Sequence, residues 1–238
     1  MYCDNHIYPQ IILNAKIYNY ADEIKDWTKA IDYCEREIEK DPKNAVLYEM
    51  LGIFYDGIMN DDENYIKYTK KAYEIDSTES NLAGSYVGAL IEGKRFEEAK
   101  KVMNSENYKS IRATSDELGQ LAQYHYHKEE YNLALEVLED PLLHFGYNAY
   151  RALSLAQIGN IDAVKSLLSK KDVLGDRDKA FVFAVLKNKD SMYFYMDKAD
   201  VNGKIGVNSR REVDPFRKEQ RYIEFLEKNY MPITHWNK

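Results

Sequence analysis

Two short blocks decide the fold: Asp26-Trp27-Thr28-Lys29-Ala30-Ile31-Asp32-Tyr33, running on to Asp41-Pro42-Lys43-Asn44, and then Tyr48-x-x-Leu51-Gly52-x-x-Tyr55. Tyr48, Leu51, Gly52 and Tyr55 stand at i, i+3, i+4 and i+7, which places them on one stripe of a helix. Gly52 carries no side chain, so a second helix can approach closely there. Ala30 is the matching small residue on the helix before it. Pro42 cannot continue a helix, so one rod ends at that point and the link to the next begins.

The whole chain agrees with a helical reading. It has 238 residues, 45% hydrophobic and 31% charged, which suits a folded protein with a substantial core and excludes disorder. Five prolines and 11 glycines leave few turns, so long helices are favoured over strands. The longest uncharged run, Ser80 to Ile91, is twelve residues, short of the roughly 18 that span a bilayer. The opening Met1-Tyr2-Cys3-Asp4-Asn5-His6 does not read as a secretory leader. With two cysteines, Cys3 and Cys34, and no glycosylation sequon, a reduced, cytoplasmic chain is expected. Residues 1–104 hold 20 acids against 13 bases, whereas residues 105–238 hold 20 of each. The excess negative charge therefore lies in the first half and repels a polyanion, so nucleic acid is not expected as a partner, nor a membrane.

The two blocks resemble the tetratricopeptide repeat, a helix–turn–helix unit of about 34 residues with an aromatic-x2-Leu-Gly-x2-Tyr signature. Laid along the sequence, that pattern divides one helical-repeat domain, 1–238, into units at about 11–44, 45–79, 80–104, 115–141, 144–171 and 176–200, with a cap at 214–230. The third unit's turn, Gly93-Lys94-Arg95-Phe96-Glu97-Glu98-Ala99, and the fourth's, Lys128 to Ala134, match best. The second unit needs one extra turn residue and places Tyr65 at a small-residue position, which predicts a splayed hairpin. Residues 104–114 read as a polar connection. The run Val207 to Arg217, followed by an amphipathic stretch around Arg221 to Leu226, looks like the closing segment of many bacterial tetratricopeptide-type proteins. The resemblance implies an all-α superhelix of five to six hairpins and a capping helix that covers the last apolar face.

In that family the first helix of each pair lines a concave groove. The resemblance points Asn19 and Asp22 inward from the first unit, Glu49, Ile53 and Asp56 from the second, and Asn81 and Glu92 from the third. Gln123, Tyr126 and His127 follow from the fourth, and Asn148 from the fifth. None of these is Lys or Arg, which argues against a clamp for a peptide's terminal carboxylate. The expected role is a non-catalytic scaffold that holds a neutral or basic peptide or protein segment, since carboxylates select against acidic partners. A sensory or regulatory interaction module of a bacterial signalling or transcription system is the alternative.

Chemistry-bearing motifs are weak. Gly88-Ala-Leu-Ile-Glu-Gly93-Lys94-Arg95 approaches a phosphate loop but has Arg95 where a hydroxyl must reach magnesium. His125 and His127 point to different sides of a helix and cannot grip one metal together. No catalytic, cofactor-binding or metal-binding residue is assigned. The basic cluster Lys204, Arg210, Arg211, Arg217, Lys218 and Arg221 either binds an anion or ties the cap down through carboxylates. The tail with His235 and Trp236 either packs on the cap or docks elsewhere.

Overall fold

The computed structural model describes residues 26–143 and 147–233. Among them there are helices and no strand. The helices pair in sequence order: α1 (Trp27–Lys40), α2 (Ala45–Gly57) with α3 (Asp62–Ile75), and α4 (Ser80–Glu92) with α5 (Phe96–Met103). A short α6 (Glu106–Ile111) precedes α7 (Thr114–His127) with α8 (Tyr131–Leu138). Then come α9 (Asn148–Gln157) with α10 (Ile161–Ser169), and α11 (Asp176–Val185) with α12 (Lys189–Lys198). The chain closes with α13 (Val201–Ser209), a 3-10 helix (Arg211–Phe216) and α14 (Gln220–Lys228). This is an all-α solenoid. The expected first helix of unit one, with Asn19 and Asp22, lies outside the described residues, as do His235 and Trp236.

The hairpin turns reveal the repeat more plainly than the side chains do. Each turn places one residue in the left-handed region: Asn60, Lys94, Glu129, Gly159 and Lys187. In four of them the next N–H bonds back five residues: Arg95 to Leu90, Glu130 to His125, Asn160 to Leu155 and Asn188 to Phe183, at 2.8–2.9 Å. This is the 6→1 bond of a Schellman motif, which satisfies a carbonyl left over at the helix end. In the α2–α3 turn Asp61 N–H reaches Tyr55 O, six residues back, at 3.0 Å. The extra residue is absorbed there. The spacing of the left-handed residues is 34 from 60 to 94 and 35 from 94 to 129, then 30 to 159 and 28 to 187. The units shorten toward the C-terminus.

Two expectations are corrected. The α2–α3 hairpin is not splayed: along their length these two helices pack more closely than other pairs among the described residues. A Cβ added at Gly52 would lie 3.0 Å from Thr69 Cγ2 and 3.3 Å from Tyr65 O, so it is the backbone of Tyr65 that meets Gly52. Residues 104–114 are not merely a connection. Ser105 caps α6, accepting from Tyr108 N–H at 3.2 Å, and Tyr108 is buried in a core shared with Ile66, Ala83 and Tyr86.

The larger core joins the two ends of the chain. Trp27, Phe54, Phe181, Met192, Tyr222, Phe225 and Met231 belong to one buried cluster. Trp27 Nε1 donates to Asn229 O at 3.0 Å across 202 residues. Each large apolar side chain of this kind contributes about 1.5–3 kcal/mol by leaving water. The first helices of the pairs stand side by side, α2 on α4, α4 on α7, α7 on α9 and α9 on α11. Then α13, which has no hairpin partner, touches both α11 and α2. The row is closed into a circuit.

The expected cap is α14, fastened to α12 by Lys189–Glu219 (2.5 Å), Arg221–Asp190 (3.0 Å) and Lys228–Asp197 (2.8 Å). Gly52→Val tests the close approach. It forces Thr69 and the Tyr65 backbone away, and urea unfolding is expected to show a loss of about 1–3 kcal/mol.

Candidate functional site

The concave row ends in charge. Asp56 and Glu92 stand near the carboxyl-terminal ends of α2 and α4, and Tyr126 and His127 at that end of α7. Into this corner the sequence brings Arg210-Arg211-Glu212, held at the junction of α13 and the 3-10 helix. Arg210 sits between carboxylates and rings. Its Nε donates to Glu212 Oε2 at 3.1 Å and its Nη1 to the Tyr150 hydroxyl at 3.1 Å. Glu92 Oε1 lies 3.8 Å from the same nitrogen. The guanidinium lies over Tyr150 and Phe181, 5.4 and 5.1 Å from the ring centres.

Arg211 does a different job. It donates to His127 O at 3.0 Å and to Tyr126 O at 2.8 Å. These are carbonyls of the last turn of α7, where a cation satisfies orphan acceptors and the negative end of the helix dipole. The Tyr126 hydroxyl donates to Glu212 Oε1 at 2.7 Å. A second network anchors the segment below. Asn208 Nδ2 donates to Ile58 O (3.1 Å), just past α2, while its Oδ1 accepts from Arg217 (3.0 Å) and Tyr222 (3.2 Å).

Burial sets the electrostatics. The Glu212 side chain is 1% exposed. Burial alone pushes its carboxyl up, but the Arg210 guanidinium outweighs that and holds it at about 2. Asp56 is raised well above the carboxylate range, first by burial and then by Glu92, with the Ser209 hydroxyl and Arg210 pulling the other way. Glu92 is raised by burial, against Arg210. Burial also raises Tyr65, whose phenol feels Asp56, Glu92 and Glu49. His127 is kept neutral by burial and by the neighbouring Arg210 and Arg211, and its Nε2 has no hydrogen-bond partner.

The residues named from the sequence thus fall into two groups. Asp56, Glu92, Gln123, Tyr126 and His127 gather around Arg210–Glu212, with Gln123 Nε2 donating to Glu92 at 3.4 Å. Glu49, Asn81 and Asn148 stand nearer the amino-terminal ends of α2, α4 and α9. Glu49 accepts from Ser85 Oγ at 2.6 Å, and burial raises its carboxyl. Asn81 is exposed and Asn148 partly so.

Sequence reasoning missed Tyr65, Tyr150 and Phe181 as members of the corner. It also missed that arginines reach this wall, from the C-terminal segment and not from the repeats. The available signal was charge: an acidic wall without a basic counterpart, and a basic run at 204–221 in the same chain. Of its two readings of that run, the one in which arginines are tied by carboxylates matches Arg210–Glu212, Arg217–Asp214 and Arg221–Asp190. Among the described residues no group of three His, Cys, Asp or Glu side chains is placed to hold a metal ion.

The sign of the acid dependence follows from these shifts. Glu212 titrates lower in the fold than when unfolded, near 4.3. Its ion pair therefore contributes in full above pH ~4.5 and fades as pH falls toward 2. Asp56 and Glu92 act in the opposite sense, since their raised values make ionisation costly and acid relieves it. Glu212→Gln is expected to lose about 3–5 kcal/mol at pH 7. Between pH 5 and 2 its stability should then fall less steeply than that of the parent, as read by urea titrations at each pH.

No family model and no curated protein matches the chain.

Proposed function

We propose that the chain is a non-catalytic interaction scaffold whose concave wall holds a neutral or basic peptide or protein segment. The observation that carries the reading is the wall's own behaviour toward an arginine-bearing segment. Arg210 is met by Glu92, Tyr150 and the Asp56 corner, and Arg211 by helix-end carbonyls. Carboxylates, phenols and carbonyl oxygens accept hydrogen bonds and attract cations, so an acidic partner pays a penalty here and a basic one does not.

The part of the wall left for a partner is the row Glu49, Ser85, Gln123, Asn81 and Asn148, all partly or fully exposed. Amides along such a row bond a peptide backbone whatever its sequence. The finer reading of the solenoid is a tetratricopeptide array of bacterial type. Its support is the repeated left-handed turn, the 34- and 35-residue spacings in the first half, and the small buried Ala30, Gly52, Ala72, Ala99 and Ala134. Among the described residues no helix is long and apolar enough to cross a membrane. A cytoplasmic location is part of the proposal.

The test is affinity capture with mass spectrometry, comparing the parent with Asn81→Ala/Asn148→Ala/Glu49→Lys. The variant should lose at least tenfold of a specific partner while its melting temperature shifts by no more than a few degrees. An unchanged partner yield would remove the wall as the binding surface.

A further inference from the structure

The segment 201–217 has features that the repeats lack. It forms a lone helix with no hairpin partner, seated in the gap between α11 and α2 where the row of first helices would otherwise stay open. Its sequence, Val201-Asn202-Gly203-Lys204-Ile205-Gly206-Val207-Asn208-Ser209, is a poor helix former, with two glycines, two asparagines and three β-branched residues in nine positions. It is therefore held helical by docking and not by propensity.

Its contacts with the wall are those of recognition. They are Asn208 to Ile58 O, Arg210 beside Glu92 and Tyr150, Arg211 to two carbonyls of α7, and Glu212 to Tyr126. Most of these partners would be satisfied equally by water or by another peptide. The flanks are fixed independently. α12 precedes the segment and α14 follows it, and three salt bridges join those two helices to each other. An undocked segment would remain a loop tied at both ends, so its release need not part the ends of the array.

We propose that residues 201–217 are an intramolecular stand-in for the partner. They occupy the gap between α11 and α2 and the acidic corner beyond it, and a partner segment gains that half of the wall by displacing them. This rests on the scaffold reading above and adds a regulation to it. The partner chemistry it names is a short helix ending in adjacent arginines. In the resting chain the segment withholds Asp56, Glu92, Tyr126 and Tyr150, and only the amino-terminal half of the wall is on offer.

The experiment uses the full chain. Amide hydrogen exchange is followed in the parent, in Gly206→Ala and in Arg210→Ala/Arg211→Ala. A Cβ at Gly206 would meet Arg177 Cδ at 3.5 Å, an ordinary contact, so this variant strengthens the helix without crowding it. Amides of 203–213 should exchange together, at least tenfold faster than those of α4. Gly206→Ala should slow them about fourfold, the helix-propensity gain of alanine over glycine. The double arginine variant should speed them at least tenfold and leave α4 unchanged.

A fluorescein-labelled peptide of residues 201–217 is then titrated into each protein. Capture at least tenfold tighter by the arginine variant than by the parent is the expected result. Exchange of the segment at the rate of α4, or indifference to Gly206→Ala, would overturn the proposal, and this holds even if the arginine variant fails to fold. Fast exchange without peptide capture would also overturn it. The capture test with Asn81, Asn148 and Glu49 would still decide the scaffold reading separately.

Discussion

A buried guanidinium between two carboxylates governs the rest of this structure. Arg210 is placed where the first helices converge, and with Glu212 it neutralises a corner already holding Asp56 and Glu92. Burying ions costs several kcal/mol each, and a pair recovers that only when the remaining donors and acceptors are satisfied. Here they largely are: Tyr126 supplies Glu212, and Tyr150 accepts from Arg210. The pair therefore supplies register more than stability. It determines which face of the C-terminal segment meets the wall, and through Asn208 and Ile58 it sets the distance between that segment and α2.

Around that corner the solenoid is built from weaker, repeated devices. The left-handed turn residue and its Schellman bond recur from hairpin to hairpin, while helix lengths drift. Small residues sit where helices cross, and tyrosines fill the seams: Tyr55 stacks on Tyr68, Tyr73 on Tyr86, and Tyr126 tilts against Tyr150. The 21 tyrosines thus divide between packing and polar work, and burial raises the phenols that enter the acidic corner. The same chemistry that stabilises the corner makes it selective for cations.

Much of this was legible in the sequence because it is local. The stripe Tyr48–Leu51–Gly52–Tyr55 has helical period, Gly52 meets the next helix, and the extra residue of the second turn is where the pattern required it. What was not legible is non-local or has low propensity. No spacing rule connects Arg210 to Glu92, 118 positions away, or Trp27 to Asn229. The helix at 201–209 is invisible to propensity because its glycines and asparagines argue against it. The orientation of Tyr65 was misjudged for a related reason: the pattern reads side-chain size at a position, whereas the contact with Gly52 is made by backbone.

The meeting of Trp27 with Asn229 has a consequence for how such a molecule can change over evolutionary time. An open helical stack grows or shrinks by duplicating or deleting a unit, since its two extremities never see one another. Here an inserted hairpin would push the termini apart and leave the indole without its carbonyl, and a deleted one would drive them through each other. The number of hairpins is thereby quantised, much as the strand number of a closed barrel is, and diversification is channelled into side chains and turns and away from copy number.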